Sequence, residues 1–220
     1  MTMGEARKKA WSEADLEAGL GRSLQPADWI RVGLELLVER GVGAVRVTRL
    51  AEALDVTRGS FYWHFKDRDD LLRALIAHWE RTNTAALVEA AKSAPDLASG
   101  ILELFEVWVD LKRFDPRLDS ALRDWGRQDD AVHQAVAAAD QGRIAAIAGL
   151  YERNGFTYDE SFVRARVIYF GQVGYYALDL NESLAKRCRY LEPYFEAFTG
   201  RSLDPAAAAA FRDKHLGSSQ

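Results

Sequence analysis

The chain has 220 residues, of which 48% are hydrophobic and 28% charged, with a formal net charge of −4 at pH 7. This length suits one large or two small globular domains, and the composition allows a buried core. No run reaches the ~20 apolar residues of a membrane span, and we expect neither a signal peptide nor a membrane partner. Cys188 is the sole cysteine, which excludes an internal disulfide and suggests a cytoplasmic protein.

Apolar residues recur at helical spacing along nearly the whole chain, which predicts an all-α fold. Pro26 suits the first position of a helix, and Gly41 suits the position after its end. Asp115 and Asp204, each followed by proline, and a capping box that begins at Thr157 open later helices. The predicted helices lie at 26–40, 47–54, 58–65, 68–91, 96–113, 116–125, 129–153, 158–178, 183–199 and 205–215.

The sequence DVTRGSFYWHFKDR, from Asp55 to Arg68, places basic and aromatic residues side by side. Phe61 and Phe65 are four residues apart, so they share a helix face and are expected in the core. The other residues of this helix cannot all be buried with these two; they are Arg58, Gly59, Ser60, Tyr62, Trp63 and His64. They would form a surface that contacts DNA bases at the start of a short helix. In a helix-turn-helix module, the second helix enters the major groove in this way.

The segment from Pro26 to Leu75 resembles the DNA-binding domain of the tetracycline-repressor (TetR) family. The pattern V-[ST]-x-G-[ST]-[LF]-Y-x-H-F, here Val56 to Phe65, carries the resemblance. It implies a homodimeric transcriptional repressor that binds a palindromic operator in double-stranded DNA and is released by a small molecule. The resemblance and the residue pattern together predict DNA contacts at Val47, Thr48, Thr57, Arg58, Gly59, Ser60, Tyr62, Trp63, His64, Lys66 and Arg68.

Two positions depart from the family pattern. Arg46 stands where Ser or Thr usually caps the second helix, so we expect a weaker cap there. Asp55 replaces the usual glycine of the turn. Because Asp tolerates the left-handed region better than most residues, we predict a positive φ at Asp55 and an intact turn.

This resemblance divides the chain into three parts. Residues 1–24 are charged and lack an apolar stripe, so we expect a mobile arm. Residues 25–67 would form the helix-turn-helix domain, and residues 68–216 a helical ligand-binding and dimerisation domain. The long helix that starts at Arg68 would dock on both domains and transmit ligand binding to the DNA-binding domain.

Aromatic residues crowd the C-terminal part, and a few polar residues lie among them. Aromatic walls with polar anchors are typical of a small-ligand pocket, although ordinary packing between helices accounts equally well for each residue. The predicted pocket lining is Phe105, Trp108, Val109, Trp125, Arg166, Tyr169 and Phe170. The identity of the ligand does not follow from the sequence.

An apolar stripe near the C-terminus advances in steps of four, three, four and three residues, as in a coiled coil. We predict a homodimer, with part of this stripe facing the protomer's own core. Pro193 predicts a kink or break near 189–193. The predicted interface comprises Phe170, Gly171, Gly174, Leu184, Cys188, Leu191, Phe195 and Phe198.

Two other classes of function stay open at this point. A helical enzyme with an incidental helix-turn-helix is disfavoured because no nucleophile–base pair, cofactor fingerprint or metal-ligand spacing is present. We therefore expect no enzymatic activity, cofactor or bound metal. An architectural DNA-binding protein that has no ligand is the second alternative.

Overall fold

The structure is a computed structural model that describes residues 24–180 and 182–217. Regular secondary structure within these ranges is entirely helical, which confirms the all-α fold. The arm predicted at 1–24 lies, apart from Leu24, outside the described residues. The helices are α1 (Pro26–Arg40), α2 (Val47–Ala53), α3 (Arg58–Phe61), α4 (Arg68–Trp79), α5 (Ala85–Ser93), α6 (Leu97–Val109), α7 (Pro116–Gly126), α8 (Asp130–Arg153), α9 (Tyr158–Ala177), α10 (Leu184–Arg189), α11 (Leu191–Thr199) and α12 (Pro205–Leu216).

Most helix ends follow from local chemistry. Pro26 is the first residue of α1, and Gly41 ends it with a φ of 74°, a left-handed value that favours glycine. Asp115 accepts hydrogen bonds from two backbone N–H groups at the start of α7. Thr157 and Glu160 form the predicted capping box of α9. The sequence therefore located these ends correctly.

Three predicted helices differ from the structure. The helix predicted at 58–65 ends at Phe61, because Tyr62 and His64 donate to carbonyls three residues back and tighten the chain into a turn. The helix predicted at 68–91 contains a π-helical turn, Glu80–Thr84. The helix predicted at 96–113 ends at Val109, since Asp110 has an extended backbone. The break predicted near Pro193 is confirmed, at Tyr190 between α10 and α11.

Buried apolar side chains form two clusters in the described part of the chain. The N-terminal cluster joins α1–α4 to α7 and the first half of α8. The C-terminal cluster contains α5, α6, the second half of α8 and α9–α12. The limit between the clusters therefore falls inside α8 and at the π-helical turn. The domain boundary predicted at residue 67 stays a prediction, but the core does not end there.

A buried polar network separates the two clusters. The guanidinium of Arg143 is fully buried; it donates to Asp119 at 2.9 Å, to the Tyr169 hydroxyl at 3.0 Å and to the Thr84 hydroxyl at 2.8 Å. The indole of Trp79 donates to the same Asp119 oxygen at 2.9 Å. We call this the junction network, and its members are Thr84, Asp119, Arg123, Asp140, Arg143 and Tyr169.

The charges of the junction network balance, with two arginines and two aspartates. Arg123 binds both carboxylate oxygens of Asp140, at 2.7 and 2.8 Å, and also donates to Asp119. Burial would raise the pKa of Asp140, but hydrogen bonds from Arg123 and Tyr169 and the charge of Arg143 outweigh burial and lower it. Burial raises the pKa of Tyr169 to about 12. Arg123, Arg143 and Asp140 are therefore charged near neutral pH.

Candidate DNA-binding surface and effector cavity

The turn between α2 and α3 has the predicted conformation. Asp55 has a φ of 54°, which confirms the positive φ expected for it. The N–H of Val56, the next residue, donates to the Ala51 carbonyl at 3.0 Å and brings the chain back towards α2. The short α3 is thus set against α2 in helix-turn-helix fashion.

Aromatic packing fixes α3 from below. Phe61 is fully buried and Phe65 nearly so, and their rings stack at 5.5 Å between centroids. Trp29 of α1 meets Phe61 edge to face at 5.3 Å. Both phenylalanines lie in the core, as predicted. Their packing anchors α3 to the core, and the opposite side of α3 faces solvent.

The outward surface of α3 and the following turn carries the predicted reading residues. Trp63 is 87% exposed and Tyr62 60% exposed, unusual values for such large side chains. The Arg58 side chain is exposed and makes no ion pair with the described residues. A Cβ at Gly59 would meet only the Thr57 hydroxyl, at 3.6 Å, so no side chain covers this backbone. The surface is open to a partner from outside the chain.

The other predicted contacts vary in exposure. Thr48 and Lys66 are exposed, whereas Val47, Ser60 and His64 are half-buried. Thr57 occupies the N-cap position of α3, but its side chain makes no capping hydrogen bond. The Thr57 hydroxyl thus remains available to an outside partner.

Arg68 has a structural role that the sequence did not indicate. Its guanidinium donates to the carbonyls of Val45 at 2.6 Å and Val42 at 2.8 Å, which ties α4 to the segment before α2. The start of α4 does not offer free backbone donors to a phosphate at these positions. The N–H groups of Lys66 and Asp70 already donate to aspartate carboxylates. Positioning of α2, rather than an open phosphate site, is the role seen for Arg68.

The beginning of α2 shows the expected weak cap. Arg46 makes no capping hydrogen bond with its side chain and instead donates to the Gly43 carbonyl at 2.9 Å. Arg49, which sequence reasoning did not select, is exposed on α2 beside Thr48 and has no ion pair within the described ranges. An arginine next to Thr48 near the start of α2 is the sequence feature from which a DNA contact at Arg49 could have been predicted.

A cavity of about 440 Å³ lies between α6, α9, α10 and α11. Its walls are mostly apolar and aromatic, and the volume falls in the usual range for small-molecule sites. Phe105, Trp108, Val109 and Phe170 line it, as predicted for the ligand pocket. The cavity also reaches residues of α10 and α11 that sequence reasoning had assigned to dimerisation only.

The other three predicted pocket residues lie elsewhere. Trp125 packs in the N-terminal cluster. Tyr169 is buried and directs its hydroxyl into the junction network. Arg166 is exposed and stacks on the rings of Phe162 and Phe170 at 5.0 and 5.1 Å. These three residues do not line the cavity, because helical spacing does not distinguish one buried side of a helix from another.

The predicted dimer seam needs a similar correction. Cys188, Leu191 and Phe195 are 2–4% exposed within one protomer, so they have no surface left to bury against a second copy. They face inward because α10 packs on α12 and α11 packs on α9. Leu184 and Phe198 are half-buried against the same C-terminal cluster. Of the predicted seam, the α9 residues remain outward.

The outer face of α9 is apolar over three turns. Val163 is 56% exposed, Val167 52% and Phe170 49%. Gly171 and Gly174 follow, and a Cβ at either would meet no atom within 4 Å. Steps of four, three and four residues connect positions 163, 167, 170 and 174, so these residues share one side of the helix. We call them the α9 stripe.

The described residues form neither a membrane-spanning helix nor a cluster of metal ligands. No described helix has the length and apolarity needed to cross a membrane. No group of three or more His, Cys, Asp or Glu side chains in the described ranges is arranged to hold a metal ion.

The chain was compared with known proteins. The family model described as "Bacterial regulatory proteins, tetR family" matches residues 30–75. The HTH-type transcriptional regulator AcrR of Shigella flexneri is 43% identical over 49 residues, which are 22% of this chain and 21% of that protein. The tetracycline repressor protein class A from transposon 1721 of Escherichia coli is 46% identical over 52 residues, 24% of each chain.

These matched segments span about a fifth to a quarter of the two relatives. The crystal structure of a TetR transcriptional regulator from Legionella pneumophila aligns with a TM-score of 0.61 at 18% identity. That alignment covers 83% of this chain and 100% of the other. Sequence similarity is thus concentrated in the helix-turn-helix module, while the fold is shared over most of the chain.

Proposed function

Because residues 30–75 match the model of the tetR family of bacterial regulatory proteins, we propose that this chain is a ligand-responsive transcriptional repressor. It would bind a palindromic operator as a homodimer and leave it when a small molecule binds. The exposed surface of α3, held by Phe61 and Phe65 beneath it, is the observation that carries this proposal.

In this proposal, α3 enters the major groove. Arg58 at its first position pairs with a base edge, since an unpaired guanidinium can donate two hydrogen bonds to guanine. Gly59 lets the phosphate backbone approach, while the Tyr62 hydroxyl and the exposed Trp63 contact the sugar–phosphate chain beside the groove. Thr48 and Arg49 of α2 contact the backbone on the other side.

A second copy of the chain would cover the α9 stripe. Large apolar patches are unusual on the surface of a soluble monomer. The heptad-like steps and the two glycines suit close packing against the same helix of a partner. A two-fold axis would then present two α3 helices to successive major grooves, about 34–36 Å apart.

The small molecule would occupy the cavity between α6, α9, α10 and α11. Val167 and Phe170 border both this cavity and the α9 stripe, so dimerisation would close its open side. Ligand binding would reach α3 through α4, whose Leu71, Leu75 and Trp79 pack in the N-terminal cluster. Arg68 would carry a shift of α4 to the start of α2.

Selection of bound sequences from random duplex DNA tests the proposal. We expect a palindrome whose half-sites lie about one helical turn apart. Fluorescence anisotropy should then give much tighter binding to this duplex than to a scrambled one at the same salt concentration. Recovery of no preferred sequence, or of a single half-site bound by a monomer, would contradict the proposal.

A further inference from the structure

Two charged side chains reach the effector cavity within the described residues. Glu182 precedes α10, and Arg187 lies on α10. The other lining residues are neutral, and many are aromatic, including Phe105, Trp108 and Tyr194. A charge that another residue already neutralises attracts a ligand less. The charge that the cavity presents to a ligand therefore depends on the ionic partners of Glu182 and Arg187.

Glu182 is already neutralised by another residue. Its carboxylate lies 2.6 Å from the ammonium of Lys186 and accepts a hydrogen bond from the Tyr175 hydroxyl at 3.4 Å. Lys186 itself does not line the cavity. The charge of Glu182 is thus balanced by the ammonium of Lys186.

Arg187 forms no salt bridge with the described residues, although it lies close enough to Glu182 to interact with its charge. Its guanidinium lies over the ring of Tyr175, 4.8 Å from the ring centre. An aromatic face stabilises a cation but accepts no hydrogen bond in the plane of the guanidinium. The Tyr176 hydroxyl lies within hydrogen-bonding reach of this guanidinium, and the other N–H groups of the half-buried arginine remain for an acceptor that a ligand could supply.

Gln172 provides a second donor in the same cavity. Its amide nitrogen is buried and meets no acceptor in hydrogen-bonding geometry among the described residues. Buried donors normally have a partner. A guanidinium without a salt bridge and an amide nitrogen without an acceptor in good geometry lie in one mostly apolar cavity, and together they favour a ligand with oxygen acceptors and negative charge.

We propose that the effector is a hydrophobic monocarboxylate, with its carboxylate on Arg187 and its apolar part against Phe105, Trp108 and Phe170. This inference rests on the proposed effector cavity. Arginine suits a planar carboxylate because it forms two parallel hydrogen bonds with it. Low polarity around the cavity strengthens the pair relative to water. A neutral or cationic molecule of the same shape would leave Arg187 without a bound carboxylate.

Calorimetric titration with two matched sets of probes tests this. One set is decanoate, decanamide and decylamine; the other is naphthylacetate, naphthylacetamide and naphthylethylamine. We expect a carboxylate to bind on the order of tenfold or more tighter than its amide, and the amine to bind least. Equal affinity of acid and amide in both sets, or no binding of either carboxylate at millimolar concentration, would overturn the proposal.

Two variants on α10 make the test specific. Arg187→Gln should remove the preference for the acid over the amide, while Arg187→Lys should keep part of it. Arg189→Gln is the matched control, since Arg189 is exposed, stacks on Tyr190 and does not line the cavity. A preference that survives in Arg187→Gln, with its thermal unfolding unchanged, would place the anion elsewhere.

Operator binding measured in parallel separates this inference from the proposed function. Release of the operator by the carboxylates in the native protein but not in Arg187→Gln supports both. Release by the neutral amides, with no advantage for the acids, keeps the regulator and overturns the anionic effector. Carboxylate binding that depends on Arg187 but leaves operator affinity unchanged supports the site and contradicts the proposed effector response.

Discussion

Arg143 donates to Asp119 at 2.9 Å in the interior of the protein, where the arginine side chain is fully buried and the aspartate side chain 8% exposed. Arg123 and Trp79 still donate to Asp119 when Arg143 is removed, but the two aspartates of the network then face a single arginine, which leaves one negative charge uncompensated. Arg143→Met should therefore lower the free energy of unfolding by about 3–5 kcal/mol. Chemical denaturation at fixed protein concentration measures it.

A matched surface variant gives the scale for this loss. Arg31 pairs with Glu35 on α1 at 3.1 Å, and both side chains are more than half exposed. Arg31→Ala should cost less than about 1 kcal/mol. A comparable loss in both variants would mean that burial of the junction network adds nothing to its strength.

The lowered pKa of Asp140 makes the network sensitive to acid. A carboxylate whose pKa is lower in the folded than in the unfolded state stabilises the fold above its unfolded pKa, about 3.9 for aspartate. This contribution is lost as the pH falls from about 4 towards the folded pKa. The stability difference between the native protein and Asp140→Asn should thus shrink below about pH 4.

Unfolding followed by circular dichroism from pH 7 to pH 3 measures this difference. Asp213→Asn is the control, because Asp213 is an exposed carboxylate outside the network. A gap between the native protein and Asp140→Asn that stays constant over the whole range would show that Asp140 does not titrate differently in the folded state.

The positive φ of Asp55 sets the tolerance of the turn to substitution. Asp55→Gly should fold with nearly unchanged stability, because glycine adopts this conformation freely. Asp55→Val should lose roughly 1–2 kcal/mol, since its branched side chain clashes with the backbone there. Equal stability of the two variants in denaturant titrations would show that the turn relaxes to another conformation.

Arg58 and Arg68 should differ in what they affect. Arg58→Ala should weaken operator binding by about 1–3 kcal/mol and relax the preference at one base pair of each half-site. Its unfolding should be unchanged, because the side chain has no partner in the described protein. Arg68→Ala should lower stability, since the carbonyls of Val42 and Val45 lose their donor. Identical effects of the two variants on stability and on specificity would contradict this division of roles.

The α9 stripe predicts where a charge separates the protomers. Val167→Glu should convert a dimer into a folded monomer, because Val167 is 52% exposed and its replacement is tolerated in water. Phe195→Glu should instead unfold the chain, since Phe195 is buried in the C-terminal cluster. Light scattering and circular dichroism distinguish the two results. Persistence of the dimer in Val167→Glu would place the interface elsewhere.

Local chemistry explains what could be predicted from the sequence. Proline at position 26, glycine at position 41 and the capping box at Thr157 act within one helical turn, so their effects are independent of the rest of the fold. The same holds for the turn at Asp55 and for the helix break before Pro193. The exposed surface of α3 could be predicted because Phe61 and Phe65 share one buried face of the helix and leave the opposite face to solvent.

Interactions between distant segments could not be predicted. Asp119 and Arg143 are separated by 24 positions, and nothing near either residue indicates the other. Trp125 was expected at the cavity and lies in the other cluster, because an apolar residue does not specify which of two cores it enters. The π-helical turn at Glu80–Thr84 serves such distant partners, since it directs Asn83 and Thr84 towards α7 and α8.

The path of α8 through both clusters limits how the helix-turn-helix module of this chain could be exchanged for another. A chimera joined at residue 67 would remove Leu118, Leu122 and Val132 from the apolar surface they fill beneath α1 and α4. The C-terminal part of the other protein would then have to supply apolar side chains that fit this surface equally well. Operator specificity would be exchanged with less risk by grafting the outward residues of α2 and α3, because their replacement leaves both cores and the junction network untouched.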